Sequence, residues 1–79
     1  MFQREIFGER LFQLRRKHKM SQAAVAKLLG VSSAQVSDME HGNSGTTLEK
    51  LFLLCEYYHV SADYLLGITD DPTWRGGEE

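Results

Sequence analysis

Apolar residues recur three and four positions apart in five separate stretches, and polar or glycine-bearing segments divide them, so the chain reads as short helices joined by turns. The first stretch, from about Phe7 to Lys17, sets Phe7, Leu11 and Leu14 on one face. Basic residues fill its last turn, where they suit the negative end of the helix dipole. The second opens at the hydroxyl of Ser21 and buries Ala24, Val25 and Leu28 or Leu29. Gly30 ends it, because a glycine there supplies the left-handed backbone that lets the chain reverse without strain. The fourth begins at Thr46 or Thr47, with Thr46 and Glu49 as a candidate capping box, and continues through Leu48, Leu51, Leu54, Cys55 and Tyr58. A fifth, short helix follows Ser61 and presents Leu65 and Leu66 before Gly67. Alternation of period two is absent, so no strand is predicted and the expected class is all-α.

The third stretch carries the chemistry. It begins Ser32-Ser33-Ala34-Gln35, a capping box in which the Ser32 hydroxyl takes one orphan amide and Gln35 reaches back to another. Its apolar face is only Val36 and Met39, so Ser33, Ala34, Ser37 and Asp38 point away from the core. A short helix with one thin buried edge and small polar residues elsewhere suits insertion into a groove about 12 Å wide. With the preceding helix and the Gly30 corner, plugged by Val31, it makes two helices meeting at a sharp bend.

At 79 residues the chain has room for one domain. Its net charge of −2 hides a split: through Gly30, seven Lys or Arg oppose two acids, and afterwards two bases oppose nine acids. Charge separated in this way gives one pole that attracts phosphate. The run Arg15 to Lys19 by itself reads as an ordinary solvated helix end rather than as a binding patch. The single cysteine, Cys55, sits in an apolar run and is expected to behave as a small buried hydrophobe in a reducing cytoplasm. No secretion signal is visible and no apolar run is long enough to span a bilayer, so cytoplasmic location is expected. The polar segment 69–79 is expected to be a flexible tail, with Trp74 its one anomaly: the indole either folds back, meets a second chain, or packs loosely.

Over residues 8–66 the chain resembles the Cro/repressor-type helix-turn-helix domains, also called the xenobiotic-response-element family. The matching positions are Leu14-Arg15, Met20-Ser21-Gln22, Ala26, Leu29-Gly30-Val31-Ser32, Val36-Ser37, Glu40, Gly42, Leu48, Leu51, Val60-Ser61, Asp63 and Leu65-Leu66. The resemblance implies a compact, lambda-repressor-like bundle of five helices over 1–68, with the third as recognition helix. It also implies transcriptional regulation, by repression, through dimers on double-stranded operators of two-fold symmetry, with recognition helices about 34 Å apart.

By the same resemblance Arg15 and Glu40 form a partly buried ion pair, which leaves Arg10, Arg16, Lys17, Lys19 and Lys27 for diffuse attraction to the duplex. Gln22 is expected to meet a phosphate at a helix N-terminus. Ser32, Ser33, Ala34, Ser37 and Asp38 are expected to face base edges and flanking phosphates, and Asn43 and Ser44 to contact the backbone. The chain departs from its family in having no base between Val31 and His41 and in carrying Asp38 there. That carboxylate would either accept from a cytosine amino group or repel phosphate. The acidic third helix keeps a competing expectation open, a protein-interaction module or antitoxin-like partner with weak or no DNA binding.

Catalysis is not expected, since Ser37 and His41, four apart, have no third group in sight to orient the imidazole. His18, His41 and His59 with Cys55 lack metal-ligand spacing, and no cofactor, small-molecule ligand or membrane partner is expected. His18 and His59 read as helix-end residues, and His41 as a helix-end or phosphate-contact residue. Phe12, Leu53 and Tyr57, with Tyr64, Ile68 and Trp74 near the fifth helix, are candidates for a homodimer surface.

Overall fold

In a computed structural model, which describes residues 1–74, five helices follow one another in the order expected: α1 (Arg4–Lys17), α2 (Gln22–Leu29), α3 (Ser33–Glu40), α4 (Leu48–Tyr58) and α5 (Ala62–Leu66). α1 is the central element, packing on α3 and α5, while α2 packs on α3 and α4 on α5. Phe7, Leu11, Val25, Val36, Leu54 and Leu65 form the innermost core. Among the described residues the extended pairing is limited to one bridge between Val60 and Thr73.

Hydroxyl caps set three helix starts where the sequence places them. Ser21 accepts from the Ala24 amide, Ser32 and Gln35 complete the reciprocal capping box, and Ser61 accepts from the Tyr64 amide. Gly30 and Gly67 adopt the left-handed conformation that closes α2 and α5.

The differences have local causes. α1 starts at Arg4, one turn before Phe7, with Gln3 as an N-cap whose side chain makes no capping bond, so no cap residue marked the start. The added turn brings Ile6 against Gly67. In α2, Ala26 takes the buried place expected of Ala24, which is exposed beside the Ser21 cap. The α4 cap is Thr47, accepting from the Lys50 amide, and the Thr46–Glu49 box does not form. The Thr46 hydroxyl is instead buried without a hydrogen-bond partner. Leu48, expected on the buried stripe, is 83% exposed, because the stripe closes over Leu54, Cys55 and Tyr58.

The segment 69–74, expected to lack order of its own, is held against the bundle by polar contacts that hydrophobic patterning does not register. Arg10 donates to the Tyr64 carbonyl, to the Thr69 carbonyl at 2.6 Å and to Asp70 at 2.7 Å, with its guanidinium over the Tyr64 ring. The Ser61 amide donates to the Pro72 carbonyl at 3.1 Å. Trp74 folds back, half-buried on the core with its ring 5.7 Å from that of His59. Arg75, Gly76-Gly77 and the two terminal glutamates of the expected tail lie outside the described residues.

Candidate nucleic-acid interface

The face of α3 opposite Val36 and Met39 is open. Ser33, Ala34, Gln35 and Asp38 are exposed and Ser37 is half-buried, whereas Val36 is fully enclosed and Met39 nearly so. Eight residues at 1.5 Å rise make this a rod of about 12 Å. Both of its ends are fixed. At the start, the Ser32 hydroxyl accepts from the Gln35 amide and the Gln35 side chain accepts from the Ser32 amide, each at 3.1 Å. The Ser32 oxygen is thus committed to the cap, while its own hydrogen remains available to donate.

The far end is fixed by a polar network around Glu40. Arg15 reaches across from α1 and donates through Nε at 2.6 Å and Nη2 at 3.1 Å to the two carboxylate oxygens, and through Nη1 to the Met20 carbonyl at 3.0 Å. The Glu40 side chain is 3% exposed. The hydrogen bond to Glu40 raises the Arg15 pKa above its ordinary value, against the opposing effect of burial. Gln22, at the first position of α2, also donates to Glu40, at 3.1 Å. Its amide nitrogen is therefore oriented by the end of α3, a link between the two helices that the sequence pattern did not disclose.

Close backbone approach completes the seating of α3. A Cβ on Gly8 would lie 2.7 Å from the Glu40 carbonyl oxygen and closer still to that of Met39, so α1 can touch the last turn of α3 only with glycine at this position. An isolated glycine inside a helical pattern was the available signal, since such residues often have a packing reason. Beyond α3, Gly42 takes a left-handed turn against Glu5, and the Asn43 amide donates to the Asp38 carbonyl at 2.9 Å. Asn43 is exposed and Ser44 half-buried, the latter lining a cleft of about 460 Å³ with Gln35, Thr47 and Lys50. His41 Nδ1 stands 2.7 Å from the Ser37 carbonyl oxygen and 3.4 Å from the Ser37 hydroxyl. The first contact assigns the Nδ1 proton to the carbonyl and makes His41 a helix-end residue.

The eight candidate positions are thus carried by one rigid unit: Gln22 joined to the end of α3 through Glu40, Ser32 at the cap of α3, Ser33, Ala34, Ser37 and Asp38 on the helix, and Asn43-Ser44 on the loop tied to Asp38. Arg10 leaves the set of duplex-attracting cations, because its donors are used on α5 and the C-terminal segment. Arg16, Lys17, Lys19 and Lys27 are exposed.

The sequence pattern of the HTH_3 helix-turn-helix family matches residues 11–65, which covers the capped corner, the clamped third helix and both helices that follow. The chain belongs to this family, in its Cro/repressor-type form. It is 37% identical over 67 residues to the HTH-type transcriptional regulator YobD of Bacillus subtilis, covering 85% of this chain and 60% of that protein. It is also 37% identical over 62 residues to repressor protein C2 of Salmonella phage P22, covering 78% of this chain and 29% of that one. The chain therefore spans less than two thirds of the length of either relative. A crystal structure of the P22 c2 repressor in complex with a synthetic operator superposes with a TM-score of 0.71 at 38% identity, over 76% of this chain and 91% of that one.

Within this helix-turn-helix domain the candidate dimer positions divide. Phe12, Leu53, Tyr57 and Ile68 are exposed, whereas Tyr64 is half-buried under Arg10 and Trp74 rests on the core. No helix among the described residues is long and apolar enough to cross a membrane.

Proposed function

We propose that the chain is a sequence-specific DNA-binding transcriptional regulator, acting as a repressor, that inserts α3 into the major groove of a duplex operator. One observation carries this: a short helix is immobilised at both ends and along one edge, by the Ser32 box, Val36, Met39 and the Arg15–Glu40–Gln22 network, while its outward face of small polar side chains is bare. Rigid presentation of small polar groups is what base-edge readout needs, since contacts must be held in register with the groove. The likeness to the P22 c2 repressor, solved in complex with a synthetic operator, supports DNA as the partner.

In this arrangement Ser33, Ala34, Ser37 and Asp38 meet base edges. Gln22, Ser32, Asn43 and Ser44 meet phosphates, and Arg16, Lys17, Lys19 and Lys27 supply attraction at longer range. Two copies bind a two-fold operator, paired through exposed apolar residues such as Leu53, Tyr57 and Ile68. Such a protein works in the cytoplasm, where its DNA is.

A fluorescence-anisotropy titration of the purified chain with mixed genomic duplex fragments tests this. Binding that weakens steeply as salt rises is the expected result. Absence of binding at low salt, together with a stable complex with another protein, would favour the protein-interaction alternative that the acidic α3 suggested.

A further inference from the structure

Between Val31 and His41 there are two acids, and the structure gives them opposite fates. Glu40 is enclosed and neutralised by Arg15, while Asp38 is exposed and its carboxylate has no hydrogen bond or ion pair among the described residues. Its backbone is not free to move the charge away. Met39, next to it, is buried, Glu40 is clamped, and the Asp38 carbonyl accepts from the Asn43 amide, which holds the Asp38 backbone so that its side chain leaves from the outward face.

Resting on the DNA-binding function proposed above, we infer that Asp38 is the residue that selects a cytosine in each half-site, by accepting a hydrogen bond from its N4 amino group. Near phosphates a bare carboxylate weakens binding, so it gains only where a base edge presents a donor. The major groove offers two, adenine N6 and cytosine N4. Adenine N6 lies between two acceptors, its own N7 and the thymine O4, and a carboxylate that reaches it meets lone pairs on either side. Cytosine N4 has an acceptor, guanine O6, on one side only, and a C–H on the other. An amide in the same place reverses the preference, because it both donates to N7 and accepts from N6 of adenine.

The experiment is selection of bound sequences from a random duplex pool by the whole chain and by its Asp38→Asn and Asp38→Ala variants, with a thermal melt of each protein as control. Since Asp38 is exposed, all three melt alike. The parent enriches cytosine at one position per half-site, and replacing that C·G pair weakens binding about 5- to 150-fold. Asp38→Asn enriches adenine there, and Asp38→Ala enriches no base there while binding random duplex more tightly. If the parent selects a motif and both variants select the same one at every position, the role of Asp38 is wrong while the DNA-binding function stands. If the parent enriches nothing and binds no duplex at low salt, that function falls and the inference falls with it.

Discussion

Arg15 and Glu40 meet as a two-pronged ion pair, Nε to Oε2 at 2.6 Å and Nη2 to Oε1 at 3.1 Å, joining the last turn of α1 to the last residue of α3. Because the carboxylate is almost fully enclosed, its charge is tolerable only while the guanidinium is there. Arg15→Ala is expected to lower stability by about 3–5 kcal/mol, since the remaining buried charge loses its counter-ion and keeps only the neutral Gln22 amide as a partner. In a domain of this size that is a fall in melting midpoint of roughly 12 °C or more. Calorimetry or a thermal circular-dichroism melt checks it, and a shift of a degree or two would show the pair to be dispensable.

Gly8→Ala sets two effects of opposite sign against each other. In a solvent-exposed helix the change stabilises by about 1 kcal/mol. Here the new methyl group would overlap the Met39 and Glu40 carbonyl oxygens, and forcing extra volume into a packed contact costs about 1–3 kcal/mol. The clash is with backbone, which cannot rotate aside, so net destabilisation is expected in urea unfolding, with a lower midpoint and an unchanged slope.

Arg10, from α1, grips the start of the packed C-terminal segment and Trp74 ends its described part, so the single tryptophan of the chain makes the attachment observable. Arg10→Ala removes the donors that hold the Tyr64 and Thr69 carbonyls and is expected to cost about 1–3 kcal/mol. Trp74 emission then shifts to the red at temperatures well below the melt. Asp70→Asn leaves the emission unchanged, because the Asp70 side chain is fully exposed and Arg10 keeps both carbonyls.

Tyr58 gives the fold a defined alkaline limit. Burial pushes its phenol up to about 12, with Tyr57 and Glu40 adding to the rise and Arg15 opposing it. In the unfolded chain the same group ionises near 10. Stability from this residue is therefore complete below pH 10 and declines as pH climbs toward 12, because the unfolded state loses the proton first. Tyr58 should titrate late by ultraviolet absorbance. Tyr58→Phe removes that late titration and flattens the alkaline decline, at the loss of the 3.3 Å contact from the hydroxyl to the Met20 sulfur.

What the sequence made legible was whatever periodicity and capping encode locally. The Ser21, Ser32 and Ser61 starts, the Gly30 bend, the Phe7-Leu11-Leu14 stripe and the thin Val36-Met39 edge all stand where the spacing put them. Three features escaped because they depend on residues distant in the chain. Arg10 looked like one more solvated cation until the carbonyls of residues 64 and 69 came within its reach. Gln22 has nothing nearby in sequence to reveal Glu40, eighteen positions on, as its acceptor. Leu48 fitted the helical stripe by spacing and yet lies outside it, since which part of a stripe is covered depends on what packs there. The bareness of the α3 face was legible, because small polar residues at buried positions would have needed partners that the sequence does not supply.

Entry of the outward face of α3 into duplex DNA, as proposed above, is tested by Ser33→Glu. Ser33 is exposed at the first position of α3, where a negative side chain suits the helix dipole and leaves the Ser32–Gln35 box intact. The expected result is a melting midpoint equal to or slightly above that of the parent, together with at least a tenfold loss of affinity for the selected operator. A variant that folds as well as the parent and binds that operator equally tightly would place the interface elsewhere on the molecule.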